Sequence, residues 1–168
     1  EIELKNATDA VNHGFGYVNE NRMDAGLFLD MGVAENLNIS ALEDIRRGIF
    51  LDLKQEMEEV VDQSIELNLK MDSLHQEIRF LSGGNQQKVM VGRSLISNAS
   101  ILLLDEPTKG IDIVSRSEIY IVMNELASEG KGIILVSADM DELAGLCDRV
   151  LVLKNGRITA ELQEKEFS

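Results

Sequence analysis

The sequence predicts an α/β protein, with a parallel sheet as its core and a helix-dominated segment ahead of the main strands. Three observations carry this. Apolar runs at 101–104, 132–136 and 150–153 are separated by helical patterns, the alternation that builds a parallel sheet. The stretch 23–98 contains no proline and repeats apolar residues at helical spacing. Of the 168 residues, 44% are hydrophobic, enough to bury a core.

The elements follow in order. Ile2 and Leu4 alternate with Glu3 and Lys5 and read as strand-like. Thr8 or Asp9 caps a short helix that ends at Gly14, and 15–18 is a short strand. In the next zone Met57, Val60, Val61, Ser64, Ile65 and Leu67 define a helix whose acidic residues Glu56, Glu58, Glu59 and Asp62 form a solvated face. Met57 and Met71 read as core. Val89, Met90, Leu95 and Ile96 mark a second helix. Then come the strand 101–104, a helix 113–128, the strand 132–136 and a helix 140–146. A third sheet strand at 150–153 turns at Asn155-Gly156 into a hairpin with 157–160. Fully apolar strands imply a sheet covered on both faces. The zones divide as 1–22, 23–98 and 99–168.

Composition excludes several functions. Thirty acidic against sixteen basic residues give a formal charge of −14, which argues against a nucleic-acid partner. No window approaches 18 consecutive apolar residues, the length of a membrane-spanning helix. The single cysteine, Cys147, forms no internal disulfide and reads as a small buried hydrophobe.

Two constellations bear chemistry. Leu81-Ser82-Gly83-Gly84-Asn85-Gln86 opens a helix, and bare backbone at a helix N-terminus offers free N–H groups to phosphate oxygens. The same string also fits a plain N-cap and tight turn. The apolar strand 101–104 runs into Asp105-Glu106, then Pro107-Thr108-Lys109-Gly110-Ile111-Asp112. A strand ending in Asp puts a carboxylate at the carboxyl edge of the sheet, where Asp105 can hold Mg²⁺ and Glu106 can orient or deprotonate a water. The alternative is a core strand followed by an acidic, solvated loop.

Taken together and in this order, the two resemble the nucleotide-binding cassette of ABC proteins, which has a P-loop NTPase-like core. Leu81 to Asn85 resembles the family's signature motif, 102–106 its Walker B strand, and 107–112 its D-loop region. The following Gln86-Gln87-Lys88 and the Thr108-Lys109-Gly110-Ile111 wording resemble the second cassette of ribose/galactose-type sugar importer ATPases. Gly14-Phe15-Gly16-Tyr17-Val18-Asn19-Glu20-Asn21-Arg22 resembles the segment in which that cassette replaces the Q-loop Gln by Glu, here Glu20. Residues 20–22 also read as a polar surface turn.

The resemblance implies ATP and Mg²⁺ as ligands, with Asp105 at the metal and Glu106 catalytic. It implies nucleotide contacts from Leu81, Ser82, Gly83, Gly84, Asn85, Gln86 and Asp112. No GxxxxGK[ST] string occurs, and in the family it lies upstream of the part matching Glu1. The sequence is therefore read as a cassette cut after its Walker A region, with a central strand missing and no MgATP hydrolysis of its own. Ala138 stands where the family places its switch histidine, and alanine there cannot donate a hydrogen bond. His13 and His75 read as structural or solvated.

Cassettes of this family pair head to tail. Ser82, Gly83 and Gly84 then complete the site of a partner cassette, either the first cassette of the same chain or a second copy, while Asp105 and Glu106 serve a weaker site. The resemblance further implies a permease docked at 20–36, with Leu27, Phe28, Leu29 and Met31 as candidate contacts, of which two or more read as core instead. It implies an external sugar-binding protein acting indirectly, and a place at the cytoplasmic face of the membrane. The rival readings are a soluble ABC-type ATPase unconnected to transport and a non-catalytic regulatory cassette.

Overall fold

The structure is a computed structural model that describes residues 2–40, 46–47, 50–51 and 53–167. Its centre is a three-stranded parallel sheet in the order β1 (Phe15–Val18), β4 (Ile101–Asp105), β5 (Gly132–Val136). Register pairs Val18 with Leu104 and Asp105 with Val136, so all three strands finish at one edge. Helix α1 (Ala7–Asn12) leads into β1. Its cap is Asn6, whose side chain accepts from the Asp9 amide, and not Thr8 or Asp9. The expected strand at Ile2 and Leu4 does not form, since among the described residues no strand pairs with these exposed ones.

Between β1 and β4 lie a single π-helical turn (Arg22–Gly26), α2 (Val33–Asn38), α3 (Leu53–Glu66) and α4 (Gly83–Ile96). A small antiparallel pair, β2 (Arg46–Arg47) with β3 (Phe50–Leu51), interrupts this helical zone. Helix α4 is the hub. Its Val89, Met90 and Val91 join Val33 and Leu37 of α2, Val60 of α3 and Leu102 and Leu104 of β4 in one continuous core. Lack of a side chain makes this possible: a Cβ on Gly92 would press on Leu67 and Leu37. Arg93 of α4 donates to the Gly26 and Asn36 carbonyls and to Asn36 Oδ1, which fixes 26–36 against the helix.

Helix α5 (Ile113–Ser128) covers the other side of α4, and α6 (Met140–Leu146) follows β5. Three expectations change here. Residues 150–153 do not join the parallel sheet. They belong to β6 (Arg149–Lys154), which among the described residues pairs only with β7 (Arg157–Gln163), so β1 is the third sheet strand. The sheet is not covered on both faces either, because Ile134 and Val136 of β5 are more than half exposed. Met57 is not core: it sits 37% exposed on the outer side of α3, while Val60, Ser64 and Leu67 face inward.

Candidate active site and signature surface

The first surface is the start of α4. Ser82 caps the helix: its Oγ accepts from the Asn85 amide at 3.4 Å and from Asn85 Nδ2 at 2.9 Å. Asn85 Oδ1 accepts from the Lys70 amide at 2.9 Å. Gln86 Oε1 accepts from Arg22 Nε at 3.2 Å, and Gln86 Nε2 donates to the Ile78 carbonyl. Asn85 and Gln86 are thus buried and engaged within the chain, and Leu81 is buried beside them. Only Ser82 and Gly83 reach the surface. The two glycines also differ. A Cβ on Gly84 would overlap the Ser115 side chain, so its bareness serves packing against α5. A Cβ on Gly83 would meet the Arg22 guanidinium at 3.2 Å.

The second surface is the carboxyl end of β4. Asp105 Oδ2 accepts from the Tyr17 hydroxyl at 3.0 Å. Loss of solvent, then this carboxylate, raises the Tyr17 phenol above its ordinary pKa. Glu106 has φ +47, in the left-handed region. The other non-glycine residues there are Asn68, Asn98 and Asn155, a type that tolerates it. For Glu this backbone costs about 1–2 kcal/mol and persists only where neighbours over-determine it. The Glu106 amide donates to the Val136 carbonyl at 2.9 Å, and Glu106 Oε1 accepts from the Ala138 amide at 2.9 Å. The expectation that Ala138 cannot donate is corrected here: it has no side-chain donor, but its backbone N–H donates to the Glu106 carboxylate.

Residues 20–22 join the two surfaces. Glu20 forms an ion pair with Lys109, and this bond, with further help from Glu106 and Asp105, raises the lysine pKa. Arg22 reaches Gln86, and burial lowers its guanidinium pKa. Asp112 caps α5 by accepting from the Val114 and Ser115 amides, bonds that lower its carboxyl pKa. His13 and His75 are exposed and apart from both surfaces. Cys147 is half-buried, and burial raises its thiol pKa, which disfavours the reactive thiolate.

A family model described as "ABC transporter" matches residues 1–109, well over half of the chain. The chain belongs to the ABC transporter family. This ABC chain is 39% identical, over 99% of its length, to the xylose import ATP-binding protein XylG of Geobacillus kaustophilus. It is 42% identical, over 98% of its length, to the ribose import ATP-binding protein RbsA 1 of Rubrobacter xylanophilus. In each case it spans about a third of the relative's length, 33%. Among solved structures it resembles the dimeric ATP-binding cassette MJ0796 in its post-hydrolysis state, at TM-score 0.77 and 22% identity. That match covers 96% of this chain and 68% of the other. The cbiO1 structure from Clostridium perfringens matches at TM-score 0.75 and 27% identity, over 92% of this chain and 59% of that one. The fold is that of an ABC ATPase cassette.

In this ABC chain, sequence reasoning gave no role to Tyr17, Arg22 or the buried pair Thr108 and Glu142. Tyr17 and Arg22 were visible only as members of the β1 and Q-loop string. Their partners lie 88 and 64 residues away, so no local spacing could announce them.

Proposed function

We propose that this chain is part of the ATPase subunit that powers import of a simple sugar. The observation that carries the chemistry is the carboxyl end of β4, where Asp105 and Glu106 stand together at the sheet edge. The sugar rests on the relatives, named for xylose and ribose import along nearly the whole chain.

The roles divide as follows. Glu106, held through Oε1 by the Ala138 amide, keeps its second oxygen to take a proton from the attacking water. No group of three or more His, Cys, Asp or Glu gathers a metal site among the described residues. Asp105 offers a hard carboxylate oxygen to Mg²⁺ at the end of β4. That fits an ion which keeps waters and takes its remaining ligands from phosphates. When bound, Mg²⁺ neutralises developing phosphate charge. Ser82 and Gly83 meet the nucleotide held by a partner cassette, either the first cassette of the same polypeptide or a second copy. Leu81, Gly84, Asn85 and Gln86 support them from beneath, and Asp112 acts by fixing the start of α5. The boundaries 1–22, 23–98 and 99–168 remain part of this reading, with α4 as the element shared between zones.

The permease docks on 20–36, where Phe28 and Met31 are exposed and Leu27 is buried. The Arg93 guanidinium lies 5.7 Å from the centre of the Phe28 ring and steadies it. A sugar-binding protein contacts only the permease. The subunit sits peripherally on the cytoplasmic face, and no helix among the described residues is long and apolar enough to cross a membrane. The charge of −14 fits no nucleic-acid role. A second reading, a regulatory cassette without turnover, is favoured by one observation: Ala138 has no side-chain donor for a γ-phosphate.

The test uses the full-length subunit assembled with its permease in vesicles. Ser82→Arg is expected to abolish ATP-driven sugar uptake, and Glu106→Gln to lower ATP hydrolysis. Ala138→His is expected to change uptake less than Ser82→Arg does. Unaltered hydrolysis in both Ser82→Arg and Glu106→Gln overturns the proposal.

A further inference from the structure

Glu142 has no part in the chemistry above, yet it is a carboxylate at 2% exposure in the first turn of α6. One of its oxygens accepts from the Thr108 hydroxyl at 2.9 Å, and the other is buried without a partner. Thr108 is itself 4% exposed. Burying a carboxyl group with one oxygen unpartnered is costly.

The placement is specific. Thr108 lies two residues beyond Glu106, inside the turn closed by the Lys109 amide on the Glu106 carbonyl. Glu142 lies four residues beyond Ala138. Asp139 caps the intervening helix start by accepting from the Asp141 and Glu142 amides, and Arg116 of α5 holds Asp139 at 2.8 Å. The Thr108–Glu142 bond therefore ties the turn after Glu106 to the helix after Ala138. Those are the two ends of the surface bond between the Glu106 carboxylate and the Ala138 amide. That surface bond is open to water, and beside it the Glu106 backbone is held by its amide on the Val136 carbonyl and by the Lys109 amide on its own carbonyl, none of which reaches α6.

We infer that the buried Thr108–Glu142 hydrogen bond is the clamp that keeps Glu106 turned onto the Ala138 amide, which makes Thr108 and Glu142 positioning residues for hydrolysis. The inference rests on Glu106 being the base proposed above. Neither residue touches substrate. Both act through the backbone that aims Glu106.

The experiment uses the full-length subunit with its permease. Thr108→Val removes the hydroxyl, and Thr108→Ser keeps it. Loss of one buried hydrogen bond is expected to lower kcat of the Glu106 site, read with the partner cassette's site disabled, about tenfold and to speed amide exchange at Ala138, measured without nucleotide, by about tenfold. KM for MgATP stays within about twofold, because the clamp aims the base and does not bind nucleotide. Thr108→Ser is expected to restore both values. Unchanged kcat, unchanged exchange, a fall in Thr108→Ser equal to that in Thr108→Val, or kcat and KM moving together each overturn the clamp. Should Thr108→Val not fold, Thr108→Ala takes its place in the same comparison. Glu106→Gln separates the two levels. If it leaves hydrolysis intact, the base assignment falls and the clamp with it. If it stops hydrolysis while Thr108→Val changes nothing, only the clamp falls.

Discussion

The start of α4 and the end of β4 carry neighbouring pieces of the same chemistry, yet they are held in opposite ways. The start of α4 is fixed by packing. Gly84 lies flush against Ser115, and Asn85, Gln86 and Lys88 are buried with their polar groups engaged. The end of β4 is fixed by hydrogen bonds, three of them on a wetter surface (Tyr17 to Asp105, Ala138 to Glu106, Lys109 to Glu20) and one, Thr108 to Glu142, buried beneath. The difference teaches where each tolerates change. A packed site transmits any volume change into stability. A hydrogen-bonded surface site loses aim before it loses stability.

The largest expected effect tests the packed side. Lys88 is 2% exposed and is held at 2.9 Å by Glu118 of α5, which also pairs with Lys70. Glu118→Ala leaves Lys88 buried with, among the described residues, the Asn68 carbonyl as its remaining partner, and is expected to cost about 3 kcal/mol in chemical denaturation. The Lys70 and Lys88 bonds hold the Glu118 carboxyl pKa below its ordinary 4.5. A lowered folded pKa gives stability that is present above 4.5 and lost as pH falls through the folded value. Glu118→Gln should therefore flatten the acid limb of the stability curve, and an unchanged limb would remove this pair from the account.

Next is Gly84→Ala. Its methyl must displace Ser115, at an expected cost of about 2 kcal/mol. Ser115→Gly in the same chain should recover part of the loss. A neutral Gly84→Ala would show that α4 and α5 slide freely and would erase the contrast. The smallest effect is expected on the other side. Tyr17→Phe removes the hydroxyl from Asp105 at a 57% exposed residue, and stability should move by less than about 0.5 kcal/mol. A loss as large as that of Gly84→Ala would mean the end of β4 is packed after all.

The sequence revealed what periodicity encodes. The spans of α4, α5, β4, β5 and α6 were legible because apolar spacing and caps such as Ser82 and Asp112 are local signals. Sheet membership was not. Residues 150–153 are as apolar as 101–104, and only three-dimensional pairing shows that the first run turns away with β7 while β1 takes the third place. Met57 misled for a similar reason, since Met57, Val61 and Ile65 share helical spacing but form the outward stripe of α3. In the candidate site, residue types were legible and their mutual support was not. A left-handed Glu106 leaves no mark in sequence, and a backbone amide from Ala138 is invisible to any argument from side chains.

One feature of the sheet bears on how the molecule behaves in bulk. Beyond β4, β5 has no strand partner among the described residues, and it shows Ile134 and Val136 outward. Open strands of this kind recruit strands from neighbouring molecules. The charge of −14 pushes copies of this chain apart and sets colloidal repulsion against that stickiness. Salt shortens the reach of the repulsion, to about 8 Å at physiological ionic strength, and leaves the apolar strand as adhesive as before. Solutions of this chain are therefore expected to stay clear in dilute buffer and to cloud as salt is raised.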